Sequence, residues 1–333
     1  MGLLVEGNWQ DRWYDTSKSG GRFERSRSAF RNWITRDGSA GATGDAGFKA
    51  EAGRYHLYVS LACPWAHRTL IYRRLKGLEQ AIGLSIVDWF MGDNGWTFRR
   101  RDGATGDGEN GTEFLWQIYA LAKSDYSGRV TVPVLWDRHR KTIVNNESSE
   151  IIRMFDLAFD AAVPAAGATP ELYPAGLREA IDAINARVYA SVNNGVYRCG
   201  FATTQEAYDE AFSDLFETLD WLDGILGKQR YVCGNAITEA DWRLFTTLVR
   251  FDVVYFGHFK CNLRRIDDYA NLSGYLRDLY QVPGISQTVD FHHIKQHYYA
   301  SHETINPHRI VPRGPAGDYM QPHGSDNPGR AGA

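Results

Sequence analysis

The spacing of apolar residues predicts a strand, a helix and a second strand in the first third of the chain. Over 55–60, Tyr, Leu and Val occupy alternate positions, which is the pattern of a β-strand. The spacing becomes helical over 64–77, where Pro64 suits the first helical position and a glycine ends the helix. A second strand-like run covers 84–89. Strand, helix and strand in this order predict a parallel β-α-β unit.

After this unit, an irregular stretch is followed by further regular elements. Residues 91–128 are interrupted by Gly and Asp and predict a long inserted loop. Residues 130–136 and 142–144 predict a hairpin. Within it, Pro133 requires either an edge position or an unusual peptide, because proline cannot donate to a strand ladder. A helix is predicted over 146–159, and the order β-α-β, insertion, β-β-α is the thioredoxin arrangement.

Beyond a linker rich in Ala, Gly and Pro at about 160–175, the pattern is helical as far as about residue 300. The clearest local signal there is Thr238-Glu239-Ala240-Asp241, a capping box that predicts a helix start. The whole pattern therefore predicts four parts. They are an extended N-terminal arm pinned by aromatic residues, a thioredoxin-like domain, an all-helical domain and a C-terminal tail: 1–50, 51–160, 170–304 and 305–333.

Composition mainly excludes partners and cofactors. The 333 residues are 43% hydrophobic and 23% charged, with a formal net charge of −3, so we expect no binding of nucleic acid or of an anionic membrane. The N-terminus lacks the pattern of a secretory signal, and no stretch has the apolar length of a membrane span, which predicts a cytoplasmic protein. The four cysteines lack the spacing of a metal site and are expected to be thiols: Cys63, Cys199, Cys233 and Cys261.

Cys63 is the candidate nucleophile, because it lies between the predicted strand and Pro64 at the start of the helix. The unpaired N–H groups and the dipole of a helix N-terminus favour thiolate, so we expect a lowered thiol pKa. Ala66 stands where a dithiol motif has its second cysteine, so a mixed disulfide on Cys63 requires an outside thiol such as glutathione. The alternatives are a buried packing cysteine and a Cys-His protease, for which His67 is badly placed.

Two further elements suit a peptide-like ligand. If the Val132-Pro133 peptide is cis, the backbone of Val132 can pair with an extended ligand; the alternative is an ordinary edge-strand proline. Glu147 and Ser148 open the next predicted helix, where Glu147 suits an ammonium group and Ser148, with the helix N–H groups, suits a carboxylate. Helix caps of this kind are common. Together, a thiolate, a pairing backbone and an amino-acid clamp fit a γ-glutamyl tripeptide.

At this point the sequence resembles the glutathione transferases and, more narrowly, the glutathionyl-hydroquinone reductases, or Xi class. The resemblance covers nearly the whole chain. Its motifs are Cys63-Pro64-Trp65-Ala66-His67-Arg68, Gly95-Trp96-Thr97-Phe98, Gly128-Arg129-Val130-Thr131-Val132-Pro133, Asn146-Glu147-Ser148-Ser149-Glu150, Asn193-Asn194-Gly195-Val196-Tyr197 and Ile305-Asn306-Pro307. The first motif also occurs in the Omega class, whereas the insertion, the Tyr197 motif and the tail are more specific to Xi.

The resemblance implies a reaction in which Cys63 takes the glutathionyl group from a glutathionyl-hydroquinone and a second glutathione releases it. Glutathione is then a co-substrate, and no metal is required. The resemblance assigns glutathione binding to five residues: Trp96, Arg129, Val132, Glu147 and Ser148. It assigns the hydroquinone side to Tyr197 and to Tyr298, with Tyr299 as an alternative to the latter. It also implies a homodimer.

Several alternatives remain open at this stage. Either tyrosine of the hydroquinone side can equally be a core residue with a satisfied hydroxyl. An Omega-like thiol transferase or dehydroascorbate reductase would use the same Cys63 chemistry on another acceptor. A non-catalytic binding module of the same fold would leave Cys63 unreactive.

Overall fold

Residues 2–160, 162 and 169–324 are described by the computed structural model, and their contacts divide the chain into two units. The first unit comprises Met1–Trp13, Ser26–Pro170 and Thr288–Ser301. The second comprises Tyr14–Arg25, Glu171–Gln287 and His302–Ala333. Parts of the predicted linker and of the predicted C-terminal tail lie outside the described residues.

The strands lie in the first unit, whereas both units contain helices. The strands are β1 (Leu3–Val5), β2 (Asn8–Gln10), β3 (Tyr55–Val59), β4 (Ile82–Ile86), β5 (Met91–Gly92), β6 (Gly95–Trp96), β7 (Gly128–Arg129), β8 (Val134–Asp137) and β9 (Thr142–Asn145). The helices are α1 (Pro64–Leu75), α2 (Leu115–Ala122), α3 (Ser148–Leu157), α4 (Arg178–Val188), α5 (Gly195–Gly200), α6 (Gln205–Leu226), α7 (Glu239–Arg250), α8 (Phe256–His258), α9 (Leu272–Gln281) and α10 (Phe291–Ser301). None of these helices is both long enough and apolar enough to cross a membrane.

The first unit is built on a four-stranded sheet with the order β4-β3-β8-β9. Strands β3 and β4 are parallel and are connected by α1, which confirms the predicted β-α-β unit. Strand β8 is antiparallel to both β3 and β9. All five residues of β3 are buried, as expected for a strand covered on both faces, and α1 packs against α3. This sheet with its helices is the predicted thioredoxin-like arrangement.

The hairpin prediction was wrong about where its first strand begins. Strand β8 starts at Val134 rather than at residue 130, and Gly128–Arg129 forms β7, which pairs with β1 in a separate sheet. Strand β8 lies inside the sheet between β3 and β9, so Pro133 is not an edge-strand proline. The chain meets the ladder only after Pro133, because proline has no N–H to donate. The Val132-Pro133 peptide is cis.

The first ten residues differ from the expected extended arm. Strands β1 and β2 form a hairpin around Glu6 and Gly7, whose φ angles of 48° and 77° are those of a tight two-residue turn. The aromatic anchoring was predicted: Trp9 stacks on Trp116, and Phe30 stacks on Tyr126. The hairpin was missed because three-residue strands are too short to show a period.

The insertion over 91–128 is more regular than the predicted loop. It contains the β5–β6 hairpin and helix α2, which begins where Gln117 accepts hydrogen bonds from the backbone N–H groups of residues 113 and 114. The Gly- and Asp-rich part is irregular, as predicted. It is organised by the Asp107 carboxylate, which accepts three backbone N–H groups and the Thr112 hydroxyl. The helix was missed because its apolar residues do not follow a single stripe.

The second unit contains α4 to α9, which agrees with the helical pattern of the sequence. The predicted capping box opens α7: the Asp241 carboxylate accepts the Thr238 backbone N–H at 2.8 Å and the Thr238 hydroxyl at 2.9 Å. It also accepts the Val232 N–H and the Tyr275 hydroxyl. Helix α10 falls outside this unit, since its contacts group Thr288–Ser301 with the first unit.

Candidate active site

Cys63 is the residue that joins the loop after β3 to helix α1. It is the N-cap of α1, with φ −78° and ψ 121°, and Pro64 is the first helical residue. The backbone N–H of Cys63 donates to the Ser60 carbonyl, and the Cys63 carbonyl accepts the first helical hydrogen bond, from His67. The side chain is half-buried. The thiol is therefore presented at the positive end of a helix dipole, in the arrangement that the sequence predicts.

The other thiols have surroundings of the opposite kind. Cys199 and Cys261 are buried, and Cys233 is half-buried at the loop before α7. Burial raises the pKa of Cys233 to about 11 and raises the pKa of Cys261 well above its ordinary value. Both thiols are protonated at neutral pH and therefore poor nucleophiles. Cys63 alone among the four caps a helix.

Val132 is brought directly to the thiol. The Cys63 Sγ lies 3.7 Å from the Val132 carbonyl oxygen, and Val132 is 5% exposed. Within the described part of the chain, no acceptor is found for the Val132 backbone N–H. A buried donor without an acceptor is costly, so this N–H suits a ligand carbonyl that lies alongside it.

The start of α3 provides a second set of donors. Glu147 is its N-cap, and its carboxylate accepts hydrogen bonds from the backbone N–H and the hydroxyl of Ser149. The neighbouring Ser148 is 2% exposed, and its backbone N–H has no acceptor in the described residues. The hydroxyl of Ser148 lies 3.4 Å from a guanidinium nitrogen of Arg68. A helix N-terminus, a hydroxyl and a buried cation together form an environment for an anion.

Trp96 and Arg129 lie on other elements of the same unit. Trp96 ends β6, is 5% exposed and stacks on His297 with ring centroids 4.7 Å apart. Arg129 ends β7, and its guanidinium donates to the backbone carbonyl of Arg12. These contacts explain how the two side chains are held. Their convergence on one ligand with Cys63 stays a prediction.

The predicted tyrosines fall in different units. Tyr298 lies on α10 of the first unit and is 2% exposed, while Tyr299 is half-buried and has its pKa raised by burial. Tyr197 lies on α5 of the second unit, where the Arg25 guanidinium is 4.9 Å from its ring centroid. The choice between Tyr298 and Tyr299 stays open, as does the role of Tyr197.

Two residues beside these groups were missed by the sequence reasoning. Arg68 was quoted only as part of a motif, although its spacing from Cys63 places it on the helix that Cys63 begins. His297, which directly precedes Tyr298, was not singled out. The signal that was available is the four-residue spacing of His293 and His297, which puts both on one face of a helix.

Comparison with known proteins adds a family to this geometry. The glutathione S-transferase N-terminal domain model matches residues 62–158, and the C-terminal domain model matches residues 205–278. The chain is 60% identical to glutathionyl-hydroquinone reductase YqjG of Escherichia coli over 327 residues, which is 98% of this chain and 99% of that one. It is 55% identical to glutathionyl-hydroquinone reductase PcpF of Sphingobium chlorophenolicum over 317 residues, covering 95% and 97% of the two chains.

Solved structures agree with the sequence comparisons. The glutathione-bound structure of YqjG matches with a TM-score of 0.89 and 56% identity, covering 98% of this chain and 99% of that one. A Xi class transferase from Natrialba magadii matches with a TM-score of 0.91 and 50% identity, covering 98% and 97%. The fold is therefore a thioredoxin-like N-terminal domain followed by an all-helical transferase domain. Since similarity at this level extends over nearly the full length of both relatives, the chain belongs to the glutathionyl-hydroquinone reductases, the Xi class of glutathione transferases.

Proposed function

We propose that this protein uses glutathione to reduce glutathionyl-hydroquinones, giving the free hydroquinone and glutathione disulfide. The observation that carries the proposal is the position of Cys63, which is the N-cap of α1 and has its sulfur 3.7 Å from the Val132 carbonyl. The names of the two relatives at 60% and 55% identity support the same activity. Glutathione is a co-substrate in this reaction, and no step requires a metal.

In the first half-reaction, the Cys63 thiolate attacks the sulfur of the glutathionyl group. A sulfur–sulfur bond forms while the bond from that sulfur to the aromatic carbon breaks. The electron pair of the broken bond moves to the ring carbon, which takes up a proton and leaves as the hydroquinone. The enzyme is left as a Cys63–glutathione mixed disulfide. The N-terminus of α1 assists by stabilising the thiolate before the attack.

In the second half-reaction, the thiolate of another glutathione attacks the glutathione sulfur of this mixed disulfide. Glutathione disulfide forms and Cys63 leaves as a thiolate, which the helix N-terminus again stabilises. An external thiol is needed because Ala66, one turn further along α1, provides no resolving sulfur. The cycle is of the ping-pong type.

The backbone N–H groups of Val132 and Ser148, which have no acceptor in the described residues, support a binding mode for glutathione. The Val132 N–H and carbonyl would pair with the cysteinyl part of the tripeptide, which places its sulfur at Cys63. The Ser148 N–H and hydroxyl, with Arg68 behind them, would bind the γ-glutamyl carboxylate, and Glu147 would receive its ammonium group. Arg129 would supply charge to a second carboxylate, and Trp96 would cover the tripeptide.

The hydroquinone side is assigned to Tyr197 and Tyr298. A phenol can hydrogen-bond the oxygens of the hydroquinone and can help the leaving ring carbon take up its proton. Both side chains are largely buried, at 9% and 2% exposure. Replacing each tyrosine by Phe, and Tyr299 likewise, would identify the hydroxyl groups that the first half-reaction uses, because the second half-reaction involves no ring.

The decisive experiment compares two cysteine variants. Glutathionyl-menadione and glutathione are supplied, and release of the free hydroquinone is followed for the wild type, Cys63→Ser and Cys233→Ser. We expect Cys63→Ser to lose turnover and Cys233→Ser, the matched thiol control, to keep it. Turnover by Cys63→Ser would refute the mechanism. Faster turnover of dehydroascorbate than of the glutathionyl adduct would favour the Omega-like alternative.

A second measurement separates an enzyme from a binding module. After exposure of the wild type to oxidised glutathione, peptide mass spectrometry should find one glutathionyl adduct, confined to Cys63. The absence of an adduct at Cys63 would favour a module with an unreactive thiol.

We propose a homodimer, supported by the resemblance to the Xi class, and sedimentation at micromolar concentration would test it. We propose a cytoplasmic location, supported by four free thiols and by a reaction that consumes glutathione. Cell fractionation with an antibody to the protein would test the location.

A further inference from the structure

One face of helix α10 is attached at three points to the segment over residues 89–102. The Nε2–H of His293 donates to the Asp102 carbonyl, and the Nδ1–H of His297 donates to the Trp89 carbonyl at 2.9 Å. The hydroxyl of Ser301 accepts the Met91 N–H at 3.0 Å. The three α10 residues are spaced by four and therefore share a face.

The middle attachment has an additional contact. The imidazole of His297 stacks on the indole of Trp96, with ring centroids 4.7 Å apart and planes 24° apart. Because its Nδ1–H is bound by the Trp89 carbonyl, the imidazole is fixed in orientation before it meets the indole. Both rings are almost fully buried, at 6% and 5% exposure.

The backbone that carries Trp96 is held separately. The indole N–H of Trp9 donates to the Asp93 carbonyl at 2.8 Å, at the turn of the β5–β6 hairpin. Gly95, with φ +67°, lies so close to Trp9 that a Cβ there would approach the ring to 2.8 Å. Trp9 therefore supports the turn, while His297 contacts the Trp96 ring itself.

We propose that His297 is a positioning residue, which holds the Trp96 indole in the orientation that covers the glutathionyl group of both substrates. This inference rests on the proposed function, in which Trp96 contacts glutathione. A ring that is already held loses little rotamer freedom when the ligand binds, so its contact contributes more fully to affinity. The imidazole takes no part in bond formation. Its removal should therefore weaken binding and leave the chemical step unchanged.

The chain offers a matched control on the same helix. Each Gln variant replaces an imidazole N–H donor by an amide N–H donor. His293→Gln leaves the Trp96 stack intact, whereas His297→Gln removes it. We expect His297→Gln to raise KM for glutathione and for glutathionyl-menadione about fivefold to tenfold, with kcat within about twofold of wild type. His293→Gln should leave both constants within about twofold. His297→Phe, which retains an aromatic face, should recover most of the loss.

Binding measured without turnover separates this inference from the proposed function. Calorimetric titration of glutathione into Cys63→Ser protein reports affinity alone. The titration is repeated after adding His297→Phe, His297→Gln, His293→Gln or Trp96→Leu to this background, and after adding His297→Gln and Trp96→Leu together. If Trp96→Leu weakens binding and His297→Gln adds nothing further in that background, the positioning role is supported. If Trp96→Leu weakens binding but His297→Gln behaves like His293→Gln, the inference is refuted and the proposed function stands. If Trp96→Leu leaves affinity unchanged, the inference is refuted together with the role of Trp96.

Discussion

Removal of the Ser148 hydroxyl should weaken glutathione binding without unfolding the protein. Ser148 is 2% exposed, its N–H has no acceptor in the described residues, and its hydroxyl lies 3.4 Å from a guanidinium nitrogen of Arg68. Hydrogen bonds to charged groups contribute about 1.5–3 kcal/mol, so Ser148→Ala should raise the Kd for glutathione about 10-fold to 150-fold. The contact with Arg68 is long, at 3.4 Å, and its loss should lower the free energy of unfolding by less than about 1 kcal/mol.

The assay is calorimetric titration of glutathione into the Cys63→Ser variant, with and without Ser148→Ala. The Cys63→Ser substitution prevents formation of a mixed disulfide during the titration. Ser149→Ala is the matched control, because the Ser149 hydroxyl lies one position along and donates to Glu147, whereas the Ser148 hydroxyl accepts from Arg68. Its Kd should change less than about threefold. Equal effects of the two alanine variants would refute the assignment of the carboxylate to Ser148. An unchanged Kd in Ser148→Ala would refute it as well.

Three further predictions concern the framework around the site. Asp241→Ala should lower the free energy of unfolding by about 4 kcal/mol, because two buried N–H groups and the Tyr275 hydroxyl lose their acceptor; chemical denaturation measures it. Burial lowers the pKa of His56 to about 4, so on acidification the unfolded state takes up a proton before the folded state does. The free energy of unfolding should therefore fall by on the order of 3 kcal/mol between about pH 6.5 and about pH 4. In chemical denaturation at several pH values, His56→Gln should reduce this pH dependence, and an unchanged dependence would contradict the assignment to His56. Gly95→Ala should destabilise by about 1–2 kcal/mol and raise the KM for glutathione, because its φ is positive and Trp9 occupies the added Cβ position; thermal unfolding and steady-state kinetics test it.

The predictions that the structure confirms depend on neighbouring residues. The β-α-β unit was readable because alternation, Pro64 and a terminal glycine all occur within one short stretch. The capping box at Thr238 and Asp241 was readable for the same reason, since its hydrogen bonds span three residues. Cys63 was found because its context is wholly local. Its pKa and its reactivity stay predictions.

The features that sequence reasoning missed depend on contacts between distant segments. Strand β7 forms because β1 pairs with it, and the residues around Arg129 contain no sequence signal that predicts this pairing. The first residue of β8 is fixed by its neighbours in the sheet and not by the apolar run that precedes it. The stack of His297 on Trp96 joins residues that lie about 200 positions apart in the sequence. Periodicity cannot register such pairs, because it compares only positions within one element.

The division of the first unit into three segments of the chain has a consequence for how the protein is made. Thr288–Ser301, which includes α10, is synthesised after Glu171–Gln287, the longest segment of the second unit. The first unit therefore cannot complete its folding as an independent N-terminal domain during translation, although domains generally fold in that order. Its last contacts are of high sequence separation, which slows folding. A nascent chain that ends before residue 288 contains Cys63 and Trp96 but lacks the imidazole on which the Trp96 indole stacks.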